Sequence, residues 1–64
     1  MRHTEFWSRL DHTLGRARSR TWAELFVLTE LNSLTTVEAL EAGVEPKQVW
    51  SAVWRALELP DSER

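Results

Sequence analysis

The chain has 64 residues, which is enough for one domain and for only a small hydrophobic core. It has no cysteine, so disulfides cannot stabilise the fold, and this composition fits a reducing compartment. The net charge is −2, but residues 1–20 hold five arginines against two acids, while the rest of the chain is acidic. No apolar run approaches the roughly 20 residues that cross a bilayer, and the charged N-terminus is unlike a signal peptide. We therefore expect a cytoplasmic protein without membrane contact.

The first predicted helix covers residues 5–14. Thr4 is the expected N-cap, and Gly15 is the expected closing residue, in a left-handed conformation. With a period of 3.6 residues, one face of this helix carries the predicted core residues Phe6, Trp7, Leu10 and Leu14.

The second predicted helix covers residues 22–31. It follows a charged segment with Arg16, Arg18 and Arg20, which is expected to be a connector or a frayed extension of a neighbouring helix. Thr21 and Glu24 have the spacing of a capping box, which marks a helix start. Apolar residues surround this helix almost completely, and its predicted core residues are Trp22, Leu25 and Phe26. Such a helix is a central one, or one whose second side is covered by another copy of the chain.

Two further helices are predicted over residues 36–42 and 46–58. Thr35 and Glu38 form a second capping-box pattern, and Gly43 is suited to the turn after it. Pro46 fits the first position of the last helix. The predicted core residues of this half are Leu40, Val44, Val49, Trp50, Val53 and Leu57. The expected fold is thus an all-α bundle of about four short helices, with one domain over residues 1–60 and a disordered tail at 61–64.

The last two helices have the spacing of a helix-turn-helix-like αα-hairpin. A small residue, a glycine and two apolar residues stand at the positions that such a unit needs, namely Ala39, Gly43, Val44 and Val49. If the hairpin bound DNA, the helix at 46–58 would present Lys47, Gln48, Ser51 and Arg55 to the major groove. Anion contacts could also come from Arg16, Arg18 and Arg20, but only if these arginines lay on the same face of the protein as the helix at 46–58. Several acidic residues near this helix weigh against the DNA hypothesis.

Catalytic and metal sites find little support in the sequence. Ser8, Asp11 and His12 fall within one turn of the first helix, but on its solvated face rather than in a dry cleft. His3, Glu5 and His12 lack the spacing of helical metal ligands. We therefore expect no enzymatic activity, no cofactor and no small-molecule substrate.

Several short motifs resemble a family of short actinobacterial proteins grouped as domain of unknown function 3046. They cover nearly the whole chain and comprise Met1-Arg2, Thr4–Trp7, Glu38–Leu40, Ala42–Lys47, Val49-Trp50, Ala52-Val53 and Ala56-Leu57. His3, Glu45 and Trp54 depart from the usual leucine, aspartate and cysteine of that family. The resemblance implies a short helical protein, and it implies no activity, cofactor or catalytic residue.

The leading functional hypothesis is a non-enzymatic interaction or regulatory module that binds another protein or itself. Two features point to such a partner, namely the second apolar side of the predicted second helix and Trp54, an aromatic residue at the border of the polar face of the last helix. The expected partner-binding residues are Trp54, Lys47, Gln48, Ser51 and Arg55. DNA binding through the same helix is the alternative.

Overall fold

Four α-helices and one short pair of strands make up the computed structural model, which describes residues 1–64. The helices are α1 (His3–Leu14), α2 (Arg16–Leu25), α3 (Thr36–Glu41) and α4 (Pro46–Ala56). Strands β1 (Val27–Leu28) and β2 (Leu34–Thr35) separate α2 from α3, and single 3-10 turns lie at Thr29–Leu31 and Asp61–Glu63. The expectation of a mainly helical fold with four short helices is confirmed, whereas the two strands were not expected. No helix has both the length and the apolar character that crossing a bilayer requires.

A single residue, Gly15, joins α1 to α2. Helix α1 begins at His3 with Arg2 as its N-cap, so the prediction of Thr4 as N-cap is wrong. Gly15 ends α1 by donating its N–H to the Asp11 carbonyl at 2.8 Å, and its own carbonyl accepts from Ser19 at 3.0 Å in the first turn of α2. Its φ of 87° is positive as expected, but its ψ of 144° is extended rather than left-handed helical. Glycine adopts this backbone conformation at little cost, so the two helices meet without a loop.

The second helix therefore starts six residues earlier than predicted and ends at Leu25 instead of residue 31. Thr21 and Glu24 lie inside α2, so the predicted capping box is wrong. The arginine segment, expected to be a connector or a frayed extension of a neighbouring helix, is part of α2, in keeping with the good helix propensity of arginine. Phe26, with φ −79° and ψ 123°, begins the extended chain of β1.

Residues 27–35 form a β-hairpin, whereas the sequence pattern predicted that the second helix continues to residue 31. Val27 pairs with Thr35 and Leu28 with Leu34 in antiparallel register. Asn32 and Ser33 both have positive φ, 57° and 63°, and thereby reverse the chain. Asparagine tolerates this conformation better than most residues, because its short polar side chain can form local hydrogen bonds.

The predicted caps of α3 are confirmed. The Thr35 hydroxyl accepts from the Glu38 N–H at 3.2 Å, and the Glu38 carboxylate accepts from the Thr35 N–H at 2.9 Å. At the other end Gly43, with φ 91°, allows the Val44 N–H to reach the Ala39 carbonyl at 3.0 Å. This bond closes a Schellman motif.

Helix α4 begins at Pro46, as predicted, and ends at Ala56 rather than residue 58. Glu58 follows with a φ of 53°, and the Leu59 N–H donates to the Trp54 carbonyl at 3.1 Å in a second Schellman arrangement. The predicted disordered tail is instead packed against α4. There the indole N–H of Trp50 donates to the Glu63 carbonyl at 3.0 Å.

The core lies where all four helices and the hairpin meet. Of the predicted core residues, the structure buries Phe6, Leu10, Val49, Trp50 and Val53. Others pack against this core while partly buried, namely Trp7, Leu14, Trp22, Leu40, Val44 and Leu57. The core also contains residues that were not predicted, namely Ala23, Leu28, Leu31, Ala39 and Ala52. The prediction for Leu25 and Phe26 is wrong, because α2 ends there and the chain turns their side chains to solvent.

Replacing Gly43 by valine is expected to cost at least about 1 kcal/mol of unfolding free energy. A Cβ at Gly43 would meet no atom within 4 Å, so the cost arises from the positive φ and not from a clash. Urea melts measure this difference. Ala42→Val is the matched control, because Ala42 is also exposed but has an ordinary φ of −77°. Equal melts for the two variants would contradict the argument.

Candidate interaction surface

Three consecutive large apolar residues are exposed where α2 passes into β1. Leu25 is 73% exposed, Phe26 41% and Val27 46%. Trp22, one turn earlier, stacks on Phe26 with ring centroids 4.8 Å apart and planes 14° from parallel. We call the exposed face of residues 17–27 the α2–β1 surface, lined by Ala17, Arg18, Thr21, Trp22, Leu25, Phe26 and Val27.

The change from helix to strand explains why these side chains are exposed. The Phe26 N–H makes the last helical hydrogen bond, to the Trp22 carbonyl at 2.9 Å, before the chain becomes extended. From Val27 on, side chains alternate between two faces, so Val27 is exposed while Leu28 enters the core. The sequence pattern placed Val27 and Leu28 on the same side of one continuous helix, so it could not separate exposed Val27 from buried Leu28.

Two grooves meet at Phe26. One has a volume of about 510 Å³ and is lined by α2 residues together with Phe26, namely Ala17, Arg18, Thr21, Trp22, Leu25 and Phe26. The other, about 300 Å³, lies between the hairpin and α4 and is lined by Phe26, Val27, Leu28, Thr29, Glu30, Ala52, Arg55 and Ala56. Phe26 thus contributes to both grooves.

An ion pair lies on the wall of the smaller groove. Two guanidinium nitrogens of Arg55, Nε and Nη2, donate to the two carboxylate oxygens of Glu30, each at 2.6 Å. These hydrogen bonds hold the pKa of Glu30 below its ordinary value, against a smaller opposing effect of burial, and they raise the pKa of Arg55. Both side chains are about half exposed, at 45% and 50%, so solvent screens their attraction.

The Glu30–Arg55 pair should stabilise the fold above the ordinary pKa of glutamate and lose this effect in acid. Because the folded-state pKa of Glu30 is lowered, its contribution is lost as pH falls through that value. We expect Glu30→Gln to melt at a lower temperature than the unchanged chain at neutral pH and at the same temperature in strong acid. The control is Glu24→Gln, which removes an exposed carboxylate outside any ion pair. A pH-independent difference for Glu30→Gln would contradict this prediction.

The structure does not bring the predicted partner-binding residues of α4 together around an open tryptophan. Trp54 is partly buried, its indole N–H donates to the Pro60 carbonyl at 2.9 Å, and Arg64 lies over its ring at 5.0 Å. Lys47 and Gln48 are exposed near the start of α4. Ser51 donates to the Lys47 carbonyl at 3.1 Å, and Arg55 is held by Glu30.

The three arginines predicted as anion contacts lie on different faces of α2. Arg16 and Arg20 line the groove between α1 and α2, where the Arg20 guanidinium lies 3.9 Å from the centroid of the Trp7 ring. Arg18 instead lines the α2–β1 surface. They therefore do not form one basic patch.

Asp11 was considered with Ser8 and His12 as a catalytic arrangement, but in the structure its carboxylate has a structural role. Its carboxylate accepts a hydrogen bond from the buried hydroxyl of Ser19. This bond ties the last turns of α1 to the first turn of α2. The side chains of the chain form no group of three or more histidines, aspartates and glutamates that could hold a metal ion.

Comparison with known proteins gives one family match. The model of a family described as "Protein of unknown function (DUF3046)" matches residues 1–62, which include all four helices and the hairpin. No curated protein and no solved structure matches the chain. The match confirms the resemblance in the sequence motifs, and the chain belongs to the DUF3046 family of proteins of unknown function.

Proposed function

We propose that the chain is a non-enzymatic interaction module that binds another protein through the α2–β1 surface. The observation that carries this proposal is the exposure of Leu25, Phe26 and Val27 side by side. A 64-residue chain has few large apolar side chains for its core. Three of them are exposed to water and so do not contribute the stabilising free energy of apolar burial. A partner that covers them would gain this free energy on binding.

The stacked pair Trp22 and Phe26 suits such a role. Each ring has few rotatable bonds, and the stack restrains both of them. Binding therefore costs little side-chain entropy, a property of aromatic anchors at protein interfaces. Trp54 supports a partner-binding role less well, because its ring and its N–H already have partners in the chain.

DNA binding through a helix-turn-helix-like unit of α3 and α4 remains the alternative hypothesis. Exposed Lys47 and Gln48 support it, while the pairing of Arg55 with Glu30 weighs against it. Titration of a labelled DNA duplex at low and moderate salt tests the alternative. Binding that weakens steeply with salt would favour DNA, and no binding at low salt would exclude it.

The proposal is tested by affinity capture from a native extract with the full chain and a double variant, Leu25→Gln with Val27→Thr. Both replacements keep the local backbone preference and remove apolar surface. Gln48→Ala on the exposed part of α4 is the control. We expect the unchanged chain and the control to retain the same protein and the double variant to lose it, with equal thermal melts.

Retention of the same protein by the double variant would contradict the proposal. So would a concentration-dependent dimer of the unchanged chain that the double variant abolishes in sedimentation experiments, because the surface would then be covered by a second copy.

A further inference from the structure

We infer that the segment bound at the α2–β1 surface is an amphipathic α-helix of another protein with an acidic residue beside its apolar stripe. This inference rests on the proposed function and adds the chemistry of the partner. Three features of α2 support it, namely the shape of its exposed face, its charge, and the consequence of that charge for self-association.

The exposed face of α2 has a ridge of large side chains beside a groove, as packing against a second helix requires. Side chains four residues apart form rows along a helix, and a ridge of one helix packs into the groove beside a row of the other. Arg18, Trp22 and Phe26 form one such row of large side chains. The neighbouring row begins with the small residues Ala17 and Thr21, which leave the groove of about 510 Å³ beside the ridge.

The charge of this face selects for acidic residues in the partner. Arg18 is the charged residue that lines the groove, and it belongs to neither of the two ion pairs in the structure. The residues that line this groove include no acid that could neutralise Arg18. A carboxylate of the partner helix next to Arg18 would accept two parallel hydrogen bonds from its guanidinium.

The same charge disfavours a second copy as the occupant. In a two-fold symmetric dimer the same surface meets itself, so α2 would lie against α2 of the other copy. Each copy would then contribute Arg18 and no acid from the residues that line its larger groove, so the contact would hold two unpaired positive charges. Like charges brought together in this way raise the free energy of the contact.

The test uses the full chain and two synthetic amphipathic peptides with the same leucine stripe, one flanked by glutamates and the other by lysines. Isothermal titration calorimetry gives both affinities. We expect the glutamate peptide to bind about tenfold more tightly than the lysine peptide, a difference of about 1.4 kcal/mol. Arg18→Glu should reverse this preference. Arg16→Gln should keep it, since Arg16 lines the groove against α1.

Each other outcome overturns a defined part of the argument. Equal binding of both peptides would overturn the acidic partner and leave the proposed surface standing. Failure of both peptides would overturn the helical partner, while the affinity capture with the Leu25 and Val27 variant decides the proposed function separately. Binding of the chain to phosphatidylglycerol vesicles with neither peptide bound would assign the surface to a membrane, and dimer formation would assign it to a second copy.

Discussion

Replacement of Trp50 by alanine is expected to cost about 3–5 kcal/mol, which is comparable to the whole stability of a domain of this size. Trp50 is only 2% exposed and meets Phe6 edge to face at 5.9 Å. Its indole N–H also bonds to the Glu63 carbonyl. The alanine variant therefore loses apolar burial, an aromatic contact and the anchor of the C-terminal turn together.

Urea unfolding measures this effect, with Trp54→Ala as the matched control on the same helix. Trp54 is partly exposed, so its loss should cost clearly less. If Trp50→Ala is unfolded without urea, Trp50→Phe gives a milder variant that keeps a ring against Phe6. Equal costs for Trp50→Ala and Trp54→Ala would contradict the central position of Trp50.

Phe6→Ala should have an effect of similar size, about 3–5 kcal/mol. Phe6 is completely buried and meets Trp7 at 5.5 Å and Trp50 at 5.9 Å, both edge to face. It therefore joins α1 to α4. The cavity left by alanine would lie between helices that cannot easily close over it.

The same replacement at Phe26 is the control. Phe26 is 41% exposed and packs on Trp22 at the surface, so Phe26→Ala should cost less than about 1.5 kcal/mol. A larger loss at Phe26 than at Phe6, measured by the same urea melts, would mean that the α2–β1 surface belongs to the core.

The α3–α4 half could be predicted from sequence because local rules suffice there. The Thr35 and Glu38 side chains cap backbone groups three residues away, and Gly43 and Pro46 act through their own backbone preferences. None of these effects depends on distant parts of the chain. The structure accordingly confirms both caps and the start of α4.

The second helix was mispredicted because a capping-box spacing is informative only at a helix end. Thr21 and Glu24 have the right spacing, but the chain is already helical from Arg16. Only the backbone conformation of Gly15 reveals that one residue separates α1 from α2. The start of α2 therefore depends on how two helices pack.

The hairpin and the candidate surface were missed because the end of α2, like its start, was misplaced. Apolar residues from Leu25 to Leu31 fit either a buried helix or a strand, and periodicity does not separate the two in short runs. Asn32 and Ser33 are the sequence signal of a turn at this place. The exposure of Leu25 and Phe26 could not be predicted, because it depends on where α2 ends.

The one-residue junction at Gly15 fixes the orientation of α2 relative to α1. With one residue between the helices, two backbone torsions set the angle of α2, and the Asp11–Ser19 hydrogen bond bridges the joint. No flexible loop absorbs a push or pull on α2. A force on Leu25 would therefore be transmitted along α2 to the Asp11–Ser19 hydrogen bond. The backbone conformation of Gly15 thus sets the direction in which the α2–β1 surface faces.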